Sequence, residues 1–466
     1  MHLLLIAYDF PPIPSPQSLR WIYLVRALAD AGHRVEVIAP DVPGYGRGGL
    51  PEIPDSVTVH RVFPGRLTRL LLGRAGAKPA VVTGAAPTGG TSVVSAGGNV
   101  LPAANEEHLN WKGRLRKSIE SLFDDGSGLN WKGRLAEKLK DAVSERVFPD
   151  YRAEWVGPAV RQLDAVIKHA RPDVVVVSHE PACTLPVGLE AARRGIPLAV
   201  DMGDPVLAPY TPEKWRKKAF KLEGDVCRAA LMVSVTTEAA AEVLQQRHGL
   251  ADEKLVVIRQ GFNPDFQEND VSAEVRFDSE LVELLYTGSF YSFRRAEVLL
   301  DAVLAVPGVR LSIATIRAPD YLVEYSERSG GRIRLLGFLP HTATLAAQRG
   351  CDILVNLANA DPVQVPGKVF EYLGAGKPIL HLRGMEQDAT GALLEGLHAG
   401  WELGSEMEDI IAVFREAREL KREGRLSVFA PLREQVEHFS WPRLAADWMS
   451  YVQTGLGGPV QYQGRI

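Results

Sequence analysis

Cysteine is scarce: Cys183, Cys227 and Cys351 are the three in 466 residues, far apart and odd in number. That excludes a disulfide-stapled scaffold and a thiolate zinc site, and suits a reducing compartment. An excess of one charge is also lacking. Lys+Arg 53 against Asp+Glu 57 leaves a formal net charge of −4, so no overall field grips a polyanion and no nucleic-acid partner is expected. No apolar run approaches the roughly 20 residues that span a bilayer. The opening Met1-His2-Leu3-Leu4-Leu5-Ile6-Ala7-Tyr8-Asp9 lacks a cationic start and soon turns polar, which reads as a buried strand rather than a secretory leader. A cytoplasmic location is expected.

Several catalytic signatures are missing as well. There is no Asp-x-Asp and no His, Cys or carboxylate cluster at metal-ligand spacing, so metal-independent chemistry without a cofactor is expected. No G-x-S-x-G elbow and no Walker loop appears. Gly44-Tyr45-Gly46-Arg47-Gly48-Gly49 has the form of a dinucleotide fingerprint. The Leu50-Pro51-Glu52-Ile53-Pro54 that follows cannot open the helix on which pyrophosphate would rest, which argues against a nicotinamide oxidoreductase.

What is present is ordinary globular composition, 46% hydrophobic and 24% charged, in a length that suits two domains. A strand at Leu3 to Ala7, a proline-rich loop, a helix from about Ser18 to Ala31, Gly32 and a strand at Val35 to Ala39 form a βαβ opening, which predicts a parallel sheet. Strands at Val57 to Val62, Val174 to Ser178, Leu198 to Asp201, Leu231 to Val235 and Val256 to Ile258 continue it. A second series begins after the polar stretch Asn263 to Glu280. Its strands are Leu284 to Tyr286, Arg310 to Ala314, Ile333 to Leu336, Ile353 to Leu357 and Pro378 to Leu382. The expected class is α/β, with two doubly wound domains at 1–265 and 280–436. A last segment, 437–466, carries Trp441, Leu444, Trp448 and Tyr451 at helical spacing and should pack back on the first domain.

The first domain carries an insertion. Residues 73–105 are rich in Gly, Ala, Ser, Thr and Pro, and read as disordered. Residues 106–148 hold a duplication, Leu109-Asn110-Trp111-Lys112-Gly113-Arg114-Leu115 recurring as Leu129-Asn130-Trp131-Lys132-Gly133-Arg134-Leu135. Each copy opens a basic amphipathic helix. Residues 109–146 could lie in a membrane interface as a peripheral contact, or simply pack on the domain with solvated basic faces.

Open parallel sheets bind ligands at strand ends. His179-Glu180-Pro181 directly follows one strand, and His179 can hydrogen-bond a sugar hydroxyl or remain a plain loop histidine. Gly288-Ser289-Phe290-Tyr291-Ser292-Phe293-Arg294-Arg295 follows the first strand of the second domain, where glycine and two arginines suit a diphosphate or a solvated helix start. Val365-Pro366-Gly367-Lys368-Val369-Phe370-Glu371 puts Lys368 and Glu371 on one helical face. They suit a phosphate and ribose hydroxyls, or form a surface ion pair.

Taken in order, Phe10-Pro11-Pro12, Gly32-His33-Arg34-Val35, Pro172-Asp173, His179-Glu180-Pro181, Gly195-Ile196-Pro197, Gly261-Phe262-Asn263, Gly337-Phe338-Leu339-Pro340-His341 and Phe370-Glu371-Tyr372-Leu373-Gly374-Ala375-Gly376-Lys377-Pro378 strongly resemble family 4 glycosyltransferases, retaining enzymes of the GT-B fold. The resemblance implies two Rossmann-like domains across a cleft, with a nucleotide-sugar donor held by the second and a glycan or lipid-linked acceptor by the first. It implies that Arg294 or Arg295, with Lys368, neutralises the leaving diphosphate, that Glu371 meets the ribose, and that His179 lies beside the donor sugar. Gly288 and Ser15 fall in its two phosphate-facing loops, although Ser15-Pro16-Gln17-Ser18 replaces the usual glycine pair. Val363 stands where the family often has a glutamate, with Asp361 the nearby carboxylate. The activity implied is transfer of a sugar in polysaccharide or glycoconjugate biosynthesis. The rivals are a non-catalytic nucleotide-sugar or glycan binder and a GT-B epimerase or phosphorylase.

Overall fold

Short apolar runs build the central strands of both halves of the chain, and they are buried on both sides because helices cover both faces of each sheet. The computed structural model describes residues 1–42, 49–72, 146–208, 211–266, 275–290, 296–358, 364–385 and 388–457. The insertion expected at 73–105, the duplicated segment up to residue 145, and most of the Gly44–Gly49 loop lie outside them.

In the first half the strands are β1 (His2–Ile6), β2 (Arg34–Pro40), β3 (Thr58–Val62), β4 (Val174–Ser178), β5 (Leu198–Asp201), β6 (Met232–Val235) and β7 (Leu255–Val257). They form one parallel sheet in the order β3-β2-β1-β4-β5-β6-β7. The helices are α1 (Pro16–Asp30), α2 (Arg66–Leu72), α3 (Val156–His169), α4 (Leu185–Arg193), α5 (Glu213–Ala229) and α6 (Glu238–His248). Helix α1 starts two residues before the Ser18 that its apolar pattern suggests. Pro16 occupies its first turn, where no N–H is needed, and the Ser15 hydroxyl accepts from the Ser18 amide at 3.0 Å.

The second half repeats the plan. Strands β8 (Val282–Thr287), β9 (Val309–Ala314), β10 (Ile333–Gly337), β11 (Ile353–Leu357), β12 (Ile379–Leu382) and β13 (Gly400–Leu403) order as β10-β9-β8-β11-β12-β13, all parallel. Between and after them run α7 (Glu297–Ala305), α8 (Asp320–Arg328), α9 (His341–Gly350), α10 (Gly367–Ala375), α11 (Ala389–Gly396), α12 (Met407–Arg422), α13 (Arg433–Val436) and α14 (Trp441–Gly455). This is a two-domain, Rossmann-like GT-B fold. In each sheet the strand order reverses beside the first strand, between β1 and β4 and between β8 and β11. That places a ligand crevice at their carboxyl ends.

The chain crosses between the sheets twice, at one place. The Phe262 amide donates to the Phe439 carbonyl at 3.1 Å, and the Trp441 amide donates to the Phe262 carbonyl at 3.0 Å. Gly374 lets α10 press on this crossing, because a Cβ there would lie 2.3 Å from Phe262 Cγ. Beyond it α14 lies against α1. Trp448 meets Trp21 edge-on with centroids 6.0 Å apart, and Trp441 stacks on Tyr23 at 5.7 Å. Trp21, Trp441, Leu444, Trp448 and Val452 share one buried apolar cluster with β1 and β2. Among the described residues no helix is long and apolar enough to cross a membrane.

Candidate functional site

On the second domain β8 ends at Thr287 and turns at Gly288, whose φ of +133° is a backbone conformation that favours glycine. The start of α10 faces this turn. Lys368, in the first turn of α10, donates from Nζ to the Thr287 carbonyl at 3.2 Å, and its ammonium sits 4.0 Å from the centre of the Tyr286 ring. A Cβ on Gly288 would come within 3.6 Å of that Nζ. Tyr372, one turn along, fixes the strand end by accepting from the Thr287 amide at 3.0 Å. Gly288 and Lys368, far apart in sequence, therefore form one corner: a cation, a tight glycine turn and a helix N-terminus, which together suit an anion.

Glu371 lies one turn beyond Lys368. Gln348 Nε2 reaches its Oε2 at 3.5 Å, and His341 Nδ1 stands 3.8 Å from its Oε1. The other His341 nitrogen meets the Tyr23 hydroxyl of the first domain at 3.2 Å. A carboxylate facing Nδ1 favours a proton there, and in that tautomer of the neutral ring Tyr23 donates to Nε2. Burial and the Glu371 charge both raise the Tyr23 phenol above its usual range, which keeps that proton in place. Tyr23 and His341 thus tie the domains together directly beside Glu371. A second tie runs from Gln364 Nε2 to Asp204 Oδ2 at 3.3 Å.

On the first domain His179 is 6% exposed at the end of β4. Its Nδ1 meets the Met202 carbonyl at 3.0 Å. A carbonyl can only accept, so Nδ1 carries a proton, and in that tautomer of the neutral ring Nε2 is an acceptor. The next residue, Glu180, has φ +69° without being glycine, a strained conformation of the kind that concentrates at functional sites. Gln17 of α1, also 6% exposed, reaches the Glu180 carboxylate at 3.4 Å.

Below them lies a half-buried ionic cluster. Arg152 packs over the Tyr8 and Tyr151 rings, at 5.1 and 5.0 Å. Burial raises the Asp9 and Asp150 carboxyls above their ordinary range, with Arg152 opposing. Burial works against the Arg152 charge, but Asp9, Tyr151 and Asp150 outweigh it and raise its pKa. Burial also holds the Cys183 thiol protonated and unsuited to nucleophilic work.

The structure thus gathers Gly288, Lys368 and Glu371 on one side, and His179 with Ser15, as the cap of α1, on the other. Arg294, Arg295 and Asp361 lie outside the described residues. Sequence reasoning did not single out Tyr23, His341, Gln17, Glu180, Asp204 or Arg152 as site residues. His341 carried a signal, at the end of Gly337-Phe338-Leu339-Pro340-His341 directly after β10. Among the described residues no group of three His, Cys, Asp or Glu converges as metal ligands would.

Asp388, on the flank of the cleft, caps α11 by accepting from the Thr390 and Gly391 amides, and His381 Nε2 lies 3.0 Å from its Oδ2. Burial opposes its charge, but the His381 hydrogen bond and charge outweigh that and hold its carboxyl below the usual range. A lowered carboxyl stabilises the fold above its unfolded pKa, and the gain is lost as pH falls through the folded value. Asp388→Ala is therefore expected to cost about 0.5–2 kcal/mol at neutral pH, the range for a lost N-cap, with a gap to wild type that narrows as acid is added. Urea unfolding at a series of pH values reads this.

Residues 128–266 match the family model of Glycosyltransferase Family 4, in agreement with the resemblance read from the motifs. The fold is shared with a sucrose-phosphate synthase from Thermosynechococcus elongatus (TM-score 0.61, 14% identity, covering 98% of this chain and 99% of that one). It is shared with Anabaena HepE, solved in complex with UDP and glucose (TM-score 0.56, 12% identity, 97% and 100%). It is also shared with a UDP-GlcNAc 2-epimerase from Neisseria meningitidis bound to UDP-GlcNAc (TM-score 0.51, 12% identity, 97% and 100%). No curated protein matches the chain by sequence.

Proposed function

We propose that the chain is a retaining glycosyltransferase that moves a sugar from a nucleoside-diphosphate donor to a hydroxyl of a glycan or lipid-linked acceptor. The observation that carries this reading is the Lys368 ammonium at the turn of Gly288, beside Glu371 and the N-terminus of α10. In the reaction the C1–O bond to the diphosphate breaks and its electron pair leaves with the diphosphate. Lys368 and the α10 amides stabilise the growing negative charge there, as preorganised groups aimed at developing charge do. Arg294 and Arg295, which follow β8 in the sequence, add to it by the family resemblance. The acceptor oxygen bonds to C1 on the face the diphosphate leaves, and its proton passes to a diphosphate oxygen. His179 Nε2 accepts from a donor-sugar hydroxyl, and Glu371 accepts from the ribose.

This counter-charge needs no metal. The biological setting of this reading is cell-surface polysaccharide or glycoconjugate synthesis in the cytoplasm.

The test measures nucleoside-diphosphate release from UDP-, GDP-, ADP- and dTDP-sugars, with and without glycan and lipid-linked acceptors, and reads the anomeric configuration of the product by NMR. Acceptor-dependent release from one donor series, with the donor configuration kept, is the expected result. The likeness to an epimerase supports a second reading, in which the donor is converted to its epimer without any acceptor. That product would replace the transferase reading. Nucleotide binding without any conversion would point to a non-catalytic binder.

A further inference from the structure

Helix α9 belongs to the second domain, yet its first turn is in contact with the first domain. The same helix carries both polar groups that face Glu371. His341 and Gln348 share one face of it, and they meet the two oxygens of one carboxylate. His341 Nδ1 stands 3.8 Å from Glu371 Oε1, and Gln348 Nε2 reaches Oε2 at 3.5 Å. Both distances are longer than those of a strong hydrogen bond. The carboxylate is therefore directed without being saturated, and its remaining lone pairs are free to accept from hydroxyls. Its side chain is 18% exposed, so a ligand can reach it.

The start of α9 is fixed from the other domain. The Tyr23 hydroxyl meets His341 Nε2 at 3.2 Å. Its ring lies flat on Trp441, with centroids 5.7 Å apart and planes 7° from parallel, and the residue is buried. Tyr23 thus has one place to put its hydroxyl. Main chain of the first domain bears on the same turn. Gly49 has φ +57°, and a Cβ there would stand 2.7 Å from Pro340 Cβ and 2.8 Å from the His341 amide nitrogen. The last glycine of the Gly44–Gly49 motif therefore serves close approach between the domains rather than a pyrophosphate.

We infer that Tyr23 is a positioning residue for ribose recognition: through His341 it sets the Glu371 carboxylate, so the nucleotide site of the second domain is complete only with the first domain docked on α9. The inference rests on the reading of Glu371 as the ribose acceptor and adds what orients it. A neutral His341 ring can present either a proton or a lone pair at Nδ1. A hydroxyl donating to Nε2 leaves the proton at Nδ1, where it attracts Glu371 Oε1. Without that donor the proton can move to Nε2, and the Nδ1 lone pair then repels the carboxylate it faces.

The test titrates the full chain by calorimetry with UDP, GDP, ADP and dTDP, each beside the analogue that lacks its ribose hydroxyls. The proteins are wild type, Tyr23→Phe, His341→Ala and Glu371→Ala. Wild type should bind one nucleotide more tightly than its analogue, and Glu371→Ala should bind the two alike. Tyr23→Phe and His341→Ala should each bind that nucleotide about fivefold more weakly, the scale of one net hydrogen bond, while binding the analogue as wild type does. Retained binding of the analogue shows that a variant is folded. The Tyr23 variant keeps its ring on Trp441, and the His341 variant removes the same contact from the other domain, so either one alone decides. An undiminished preference for the hydroxylated nucleotide in these variants, lost only in Glu371→Ala, would overturn the positioning role and leave the donor site standing. Equal weakening of nucleotide and analogue would also overturn it, as the mark of a purely structural contact. A wild type that binds no nucleotide, or a preference that survives Glu371→Ala, would overturn it together with the donor-site reading.

Discussion

Replacing Lys368 by alanine is expected to lower turnover at saturating donor by about 10²–10³-fold, the cost of removing one preorganised group that stabilises transition-state charge. The ammonium is placed by the Thr287 carbonyl and the Tyr286 ring, beside the turn at Gly288. Those contacts aim one positive charge at the point where α10 begins, so the loss should fall on the step in which diphosphate charge grows. Lys368→Arg should not restore it, because a planar guanidinium fork is a poor substitute for a compact ammonium in this corner. The fold should survive, since neighbouring Tyr372 holds the end of β8 independently. Steady-state kinetics with the accepted donor gives the answer. A kcat within a few-fold of wild type would remove Lys368 from the reaction.

Asp201→Ala is expected to destabilise the protein by about 3–5 kcal/mol, the cost of leaving a buried charge without its partner, against a total stability of roughly 5–15 kcal/mol. Arg20 of α1 and Asp201 at the end of β5 both have fully buried side chains. Arg20 makes two bonds to the carboxylate, at 2.8 and 2.9 Å, and two more to the Arg259 and Ile258 carbonyls. Ser234 donates to the same carboxylate at 2.7 Å. One guanidinium thus locks α1, β5 and the segment leading out of β7, the scaffold from which Tyr23 reaches His341 across the cleft. Equilibrium urea unfolding should show a lower midpoint with an unchanged slope. A loss below about 1 kcal/mol, the scale of a surface ion pair, would show that the network is not essential.

The parallel sheets were legible because their strands are buried on both faces. Val174-Val175-Val176-Val177 reads as a strand under any periodicity, and β4 is buried throughout. Strand β13 gave no such signal, since Gly400-Trp401-Glu402-Leu403 is half-buried and opens on a glycine. Helix α12, with its apolar residues diluted by eight charged ones, was equally easy to pass over. The site divides along the same line. Lys368, Glu371, Gly288 and His179 stand at strand ends within compact motifs. Arg20 sits inside an apolar helix, and its partner is 181 positions away. Tyr23 and His341 meet across 318 positions. Contacts of that kind depend on how the two sheets face each other, which no local pattern encodes.

The central claim is that Lys368, Gly288 and Glu371 form a nucleotide-sugar site. The most direct measurement is a thermal-shift screen of UDP-, GDP-, ADP- and dTDP-sugars on wild type and Lys368→Ala, because a ligand that binds only the folded state raises its melting temperature. Stabilisation of wild type by one base series, lost in the variant, is the predicted result. Equal stabilisation of both proteins, or none of either, would contradict it.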